Sequence, residues 1–488
     1  MRKLLMATAA MLGASLGMAD AAQVFTASPT ALTGLPPSAT SLTTIGAGAR
    51  TPAAPAPGQI VVRIDLRENI YAVAGWSNFD SVGGNKQQPY GIIGYPRFYL
   101  GFDGKATNGL NYGLYWEIRN GANRNSVVNN AASGTAGNAG SSGSSSDQTL
   151  FWRRNYGYIG TDTLGTLRIG ETDGPMSSFL VATFDDFATG LWNGDINDWI
   201  QGGSYGLTGA FPNWPFFDVG AEYTTAKAVY LSPSFAGVDF ALSFEPSTAN
   251  VTDSQTCPNT APAGQTFTGA NFVNCSSQST SNAANDLQRR RNTIEGGIRY
   301  RGAFSGVGIA ASAIGAFGGH VNAGPFNPGV GGGSFTDIHG KTITLKPTSS
   351  FDSLKIGDVG LAVTFAGVTV GGNIIFGDYN GQMAPNPSGA TNSLAWIAGA
   401  EYAWGPIIVG GAYFRWKYQG YWTLPGEQTD QGIQFGVTYN IAPGLALLAE
   451  YLYGQRYRGN FDFSKGAPGP NFNNVHSQVA GVGLQFRW

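Results

Sequence analysis

From Gln59 to Trp488 apolar and polar residues alternate in segments of about ten, the period of strands with two unlike faces. No stretch after Ala22 approaches the roughly 18 apolar residues that suggest a membrane-spanning helix. Ile433, Phe435, Val437 and Tyr439 share one face of a segment whose other face holds Gln434, Gly436, Thr438 and Asn440. Leu110, Tyr112, Leu114, Trp116 and Ile118 alternate with Asn111, Gly113, Tyr115, Glu117 and Arg119 in the same way. Charge recurs on the polar face of segment after segment. That suits a wet lumen as well as a wet exterior, so alternation alone does not choose between a soluble sandwich and a barrel.

The connections discriminate better. Seven short turns (Lys105 to Asn108, Asp162 to Gly165, Ser232 to Gly237, Phe304 to Gly306, Ala366 to Gly367, Trp404 to Pro406 and Ala442 to Gly444) alternate with eight long links. The long links are Asn78 to Gly91, Gly121 to Gln148, Thr172 to Phe217, Ser247 to Leu287, Gly319 to Asp352, Gly381 to Thr391, Gly420 to Thr429 and Asn460 to Val475. Such asymmetry predicts an all-β fold: a transmembrane antiparallel up-and-down β-barrel of about sixteen strands. Composition agrees. Glycine (72 residues) is abundant and charged residues are only 12 %, roughly half the usual share of a soluble domain.

Ahead of the barrel, Arg2 and Lys3, the apolar run Leu4 to Met18 and Ala19-Asp20-Ala21 read as a signal peptide over residues 1–22. Residues 23–58, rich in Pro, Ala, Ser and Thr, read as a flexible periplasmic extension, leaving residues 59–488 for the barrel. A formal net charge of −2 gives no support for nucleic-acid binding. No nucleophile constellation, Walker loop or zinc spacing appears, so neither an enzyme nor a cofactor or metal is expected. His476 beside Ser477 is only a faint catalytic candidate. Cys257 and Cys275, close together in an exported chain, are expected to form a disulfide.

The first strand, Pro57 through Gly75, and the terminal Gly483-Leu484-Gln485-Phe486-Arg487-Trp488 resemble Gram-negative porins, especially the trimeric sixteen-stranded general porins of alphaproteobacteria. The resemblance covers the chain from about Pro57 onward. It implies outer-membrane localisation, a homotrimer, and a terminal signal for the barrel-assembly machinery carried here by Leu484, Phe486 and Trp488. The family's commonest last residue is Phe, which Trp488 replaces with another aromatic. Strands near Val62 to Leu66 and near Leu484 to Trp488 would form the seam and face sister subunits.

The resemblance also implies that the third long link, residues 172–217, folds into the barrel as a constriction. That link holds Asp173, Asp185, Asp186, Asp195 and Asp198, no Lys or Arg, and many aromatics: Phe179, Phe184, Phe187, Trp192, Trp199, Phe211, Trp214, Phe216 and Phe217. The polar faces of the first five strands carry Arg63, Arg67, Arg97, Arg119, Arg153 and Arg168. Carboxylates facing these arginines across a gap would set up a transverse field that favours dipolar solutes. The expected function is a water-filled channel for passive diffusion of ions and small hydrophilic solutes, weakly cation-selective. The alternatives are a sugar-selective channel with Tyr99, Tyr115 and Tyr413 as a stacking track, and a surface adhesin or structural barrel. Outer-membrane lipid is the expected surrounding. Arg289, Arg290 and Arg291 at the outer rim are candidates for lipopolysaccharide phosphates.

Overall fold

The structure, a computed structural model, describes residues 55–78, 88–121, 149–200, 212–216, 225–247, 281–282, 290–319, 321–323, 333–336, 340–345, 350–420, 426–464 and 467–487. Sixteen strands close into one antiparallel barrel. They are β1 (Gln59–Ser77), β2 (Tyr90–Lys105), β3 (Asn111–Gly121), β4 (Thr149–Thr161), β5 (Gly165–Glu171), β6 (Ala226–Leu231), β7 (Val238–Ser247) and β8 (Arg291–Phe304). The second half is β9 (Val307–Phe317), β10 (Lys355–Phe365), β11 (Val368–Asp378), β12 (Ser393–Trp404), β13 (Ile407–Tyr418), β14 (Gln428–Ala442), β15 (Leu445–Arg458) and β16 (Asn474–Arg487). Each strand pairs with its sequence neighbour, and β16 returns to β1 with Leu484 opposite Ile70. Every backbone row therefore has a partner on both sides, which is what an apolar surrounding demands of a sheet.

All seven short turns fall at one end of the barrel and all eight long links at the other, as expected from the sequence. Alternation fixes the two faces. In β1 the exposed Ile60, Val62, Ile64 and Ile70 point outward, while Arg67, Asn69, Tyr71 and Val73 are buried on the inner face. The strand expected directly after Phe217 is described only from Ala226, as the six-residue β6, and residues 217–224 lie outside the described residues. The link between β9 and β10 carries structure of its own. Val321–Ala323 and Ser350–Phe351 pair with Ser281–Asn282 in a small sheet, and Gly333–Thr336 pairs with Thr342–Leu345.

Residues 1–54, both cysteines, Arg289, His320, His339, Trp488 and most of the second and fourth links lie outside the described residues. The expectations for the signal peptide, the disulfide and the terminal aromatic rest there. Leu484 and Phe486 lie on the outer face of β16.

Candidate functional site

The described part of the third link, residues 172–200 and 212–216, is inside the barrel. It opens with one helical turn, Pro175–Ser178, then runs irregularly through two 3-10 turns, Leu191–Asn193 and Ile196–Trp199. Met176, Phe179, Leu180, Val181, Phe184, Phe187, Leu191, Trp192 and Ile196 are all buried. What they are buried against shows a regular progression around the wall. A Cβ at Gly297 in β8 would meet Phe179 at 3.3 Å, and one at Gly371 in β11 would meet Ala182 at 3.0 Å. The sequence continues with Gly399 in β12 under Phe184 (2.8 Å), Gly410 in β13 under Phe187 (2.8 Å) and Gly436 in β14 under Leu191 (2.8 Å). It ends with Gly454 in β15 under Trp192 (2.6 Å), Gly481 in β16 under Ile196 (3.2 Å) and Gly75 in β1 under Trp199 (3.2 Å).

Loop order thus follows strand order. Strands about 4.8 Å apart and tilted by some 40° recur every ~6 Å around the circumference, close to the span of two extended residues. From Phe179 to Trp199 the loop advances at about that pace, lying along the wall as an inner ring instead of cutting across the lumen.

Hydrogen bonds fasten the ring at intervals. Arg299 Nη1 donates to Ser178 O (3.0 Å), Asn373 Nδ2 to Val181 O (3.1 Å) and Gln434 Nε2 to Phe184 O (2.6 Å). Glu450 accepts from the Thr189 amide (2.8 Å), the Thr189 hydroxyl (2.6 Å) and the Tyr71 hydroxyl (2.8 Å). Trp192 Nε1 donates to Ile433 O at 3.0 Å. Ala182, Phe184, Ala188 and Leu191 all have positive φ, between 53° and 62°. Each left-handed non-glycine residue costs about 1–2 kcal/mol, and such strain persists where surrounding contacts over-determine the backbone.

The charges are arranged differently from the expectation of two groups facing across a gap. Asp195 is in direct contact with Arg97 and accepts from Asn69 Nδ2 at 2.8 Å. Asp173 receives Arg154 at 2.9 and 2.8 Å. Asp185 is held within the loop by Thr183 (2.7 Å) and Asn193 (2.7 Å), and Asp186 is half-buried. The Asp198 side chain lies outside what the structure describes. Burial pushes the Asp195 carboxyl up, but Arg97, Arg67 and the Asn69 amide outweigh it and hold it below the ordinary value of 3.8.

All six expected wall arginines lie on the inner face. Arg67, Arg97 and Arg119 stand directly opposite one another in the ladder, and Arg487 of β16 extends the row past Arg67. Glu117 sits among Arg119, Arg153 (3.3 Å) and Arg154. Arg168 lies over the Tyr156 ring at 5.2 Å. Arg63 is the outlier, half-buried toward the short-turn end of β1. Glu117, Arg154, Arg487, Asn69 and Glu450 were not singled out from the sequence.

Three further expectations are corrected. Tyr413 points outward, bonding Gln431 Oε1 at 2.9 Å, while Tyr99 and Tyr115 are buried in a cluster with Tyr156 and Tyr158; the three form no track. Arg290 is not a free rim charge, because it turns inward to Glu245 at 3.1 and 3.0 Å. Ser477 is buried on the inner face, whereas His476 stacks edge-on against Trp76 on the outer face, so adjacent alternation separates them.

The model of the Gram-negative porin family matches residues 69–460. The chain belongs to the Gram-negative porin family. Its place is therefore the outer membrane, and its barrel is a channel. Similar solved structures include an anion-selective porin from Comamonas acidovorans (13 % identity, 88 % of this chain and 100 % of that one, TM-score 0.49). OmpT, an outer membrane protein of Vibrio cholerae, matches at 10 % identity over 89 % of this chain and 100 % of that one, with a TM-score of 0.46. A mutant of the Rh. blastica porin matches at 16 % identity over 88 % and 100 %, with a TM-score of 0.41. No curated protein matches the sequence.

Proposed function

We propose that this porin passes ions and small hydrophilic solutes by passive diffusion, with weak cation preference. The observation that carries the reading is the course of the described part of the third link, which lies against the inner wall from β8 round to β1 as a ring that narrows the lumen. Selectivity is weak because two of the loop's carboxylates are cancelled locally, Asp195 by Arg97 and Asp173 by Arg154, and its remaining carboxylates stand against an arginine-rich wall. It leans to cations because Asp185 on the ring keeps its charge, its carboxylate being bonded to the neutral donors Thr183 and Asn193. Single-channel recording with a graded series of neutral solutes is the test. The expected outcome is linear, non-saturating conductance, a sharp size cut-off and a cation-to-anion permeability ratio within about threefold of unity, roughly half a kT of local potential acting in opposite senses on the two ions. Saturable block by sugars would replace this with the substrate-selective reading, and absence of conductance with the adhesin reading.

The proposed assembly is a homotrimer through the wall around β1. Glu68 supports it. This residue occupies the centre of the nineteen-residue β1 on the outward face, between the exposed Leu66 and Ile70. A charge at the middle of a lipid-facing wall is costly, though less for carboxylates than for basic groups. A neighbouring subunit over this wall would exclude lipid from it. Glu68→Lys is expected to lower the temperature at which the detergent-resistant oligomer dissociates; unchanged dissociation would remove Glu68 from the interface.

A further inference from the structure

We propose that residues 23–54, ahead of β1, enter the lumen from its short-turn end and dock on a wall of tyrosines carried by β2, β3 and β4. The consequence for permeation rests on the channel reading above; the docking itself does not.

Tyr99, Tyr115, Tyr156 and Tyr158 form a cluster of their own on the inner face, with exposures of 7 %, 4 %, 4 % and 7 %. Tyr115 stands directly opposite Tyr156 in the ladder, and their ring centroids are 5.3 Å apart. Tyr158 lies over the backbone of Gly113, where an added Cβ would fall 2.6 Å from its ring, and its hydroxyl donates to Asp103 at 2.5 Å. Tyr115 is four residues up β3 from the short-turn end, about 10 Å at ~3.4 Å per residue and a tilt near 40°. The cluster therefore occupies the half of the lumen next to the short turns.

Such burial needs a cover. A side chain on a barrel wall is shielded by the wall behind it and by neighbours beside it, but its lumen side is closed only by something lying across it. The seats of the third link run from β8 round to β1. Where that link meets β2 and β4 it does so through Arg97 and Arg154, each two residues nearer the long-link end than Tyr99 and Tyr156. The Tyr115 hydroxyl is buried and has no hydrogen-bond partner among the described residues, so the cover also has to supply one.

The stretch ahead of β1 has the position and the chemistry to be that cover. Gln59 N donates to Ala56 O at 3.0 Å, a turn that reverses the chain, so the residues before it run back up at the height of the barrel. Pro55 is buried while Ala56 to Ile60 are exposed. A chain turned to the outer side would leave Pro55 exposed, as Ile60 and Val62 are. Residues 23–54 carry one charge, Arg50, and hold Pro29, Pro36, Pro37 and Pro52 among mostly Ala, Ser, Thr and Gly. Proline-rich segments favour an extended helix whose carbonyls have no internal partners, and they dock in aromatic-lined grooves. The free carbonyls suit the Tyr115 hydroxyl. At ~3.1 Å per residue, about seven residues reach from Pro55 to the tyrosines, which brings Pro52 and the stretch before it onto the rings. Docked there, the segment fills the arc of wall that the third-link ring leaves open and narrows the lumen from the other side.

The test uses the full-length chain carrying Cys257→Ser, Cys275→Ser and Tyr156→Cys, and the same chain without residues 24–53. A bulky, membrane-impermeant maleimide reads access to position 156. Labelling is expected to be at least about tenfold slower in the full-length chain, the rate being set by the fraction of time the wall is uncovered. Equal rates overturn the inference, since another part of the chain, or none, would then be the cover. A second measurement leaves every tyrosine in place. Deleting residues 24–53 alone is expected to raise single-channel conductance by at least about half, because the lumen widens. A synthetic peptide of residues 24–54 added on the short-turn side should restore the lower level. Block from the long-link side alone, or from neither side, overturns the docking. Heat-modifiable mobility confirms folding of each variant. A deletion variant that conducts, with equal labelling rates, sinks this inference and leaves the channel reading standing; slower labelling in a full-length chain, with no conductance from either chain, does the reverse.

Discussion

The two halves of the inner wall solve opposite problems. From β10 around to β16 the wall is smoothed by glycine and alanine: Gly371, Gly399, Gly410, Gly436, Gly454 and Gly481 leave space that loop side chains fill. From β1 to β5 the wall is crowded with Arg67, Arg97, Arg119, Arg153, Arg154 and Arg168. The first half holds the loop by shape, through many small contacts. The second meets the loop by charge, at Asp173 where the loop begins and at Asp195 after it has rounded the wall. Shape fixes where the ring lies. Charge fixes these two points and gives the remaining lumen its field.

The sharpest way to break this division is to fill a seat. The three atoms nearest a Cβ at Gly436 all belong to the loop: Leu191 and Phe187 at 2.8 Å and Ala188 at 3.2 Å. Gly436→Leu therefore leaves the strand ladder intact and lifts the ring. Single-channel conductance is expected to rise at least about twofold with a larger solute cut-off, while heat-modifiable barrel migration persists. Forcing bulk into a packed site costs about 1–3 kcal/mol, which the loop can relieve by moving and the barrel cannot. Wild-type conductance in this variant would mean that the glycine seats do not position the ring.

The next effect lies on the charged half. Among the described residues Arg67 makes no direct ion pair and acts on Asp195 only at a distance; its Nε donates to Asn69 Oδ1 at 3.4 Å. Arg67→Ala should move the permeability ratio toward cations by about threefold, the effect of roughly half a kT of local potential acting in opposite senses on cation and anion. Asp185→Asn on the ring should move it by a similar factor toward anions. Reversal potentials under a salt gradient measure both. Shifts of the same sign, or none, would show that ring and wall do not act as opposing poles.

How far this contrast could be read from the sequence depends on which interactions are local. Alternation, the seven tight turns and the eight long links are carried by neighbouring residues, so the barrel and its strand number were legible. The third link stood out by its aspartates and aromatics. Its seats did not, because Gly371 and Gly436 are ordinary polar-face glycines until the loop is laid over them. Arg154 was missed for a different reason. The β3–β4 register slips between Glu117 and Ile118, so that Glu117 opposes Arg154 and Ile118 opposes Trp152. That irregularity lets Arg153 and Arg154 both reach the inner face, where strict alternation admits only one of them. The partners of Asp195 lie 98 and 126 positions away, in strands that closure alone brings together.

The smallest expected effect concerns acid. Asp195 is held below the ordinary carboxylate value of 3.8, so the folded state binds its proton less readily than the unfolded chain does. Its contribution is thus present above the unfolded value and is lost as pH falls through the lower folded value. Between neutral pH and about 4 the loop terminus should stay docked, with open-channel noise unchanged. Below the ordinary carboxylate range, protonation releases Arg97 and the end of the ring near Ile196 gains freedom. Noise should then increase while mean conductance changes little, since Glu450, Gln434 and the glycine seats still hold the rest of the loop. Asp195→Asn should show the acid-state noise already at neutral pH and lose its further change on acidification. An acid response unaltered in that variant would assign the effect to another carboxylate and leave Asp195 as a neutral hydrogen-bonding anchor.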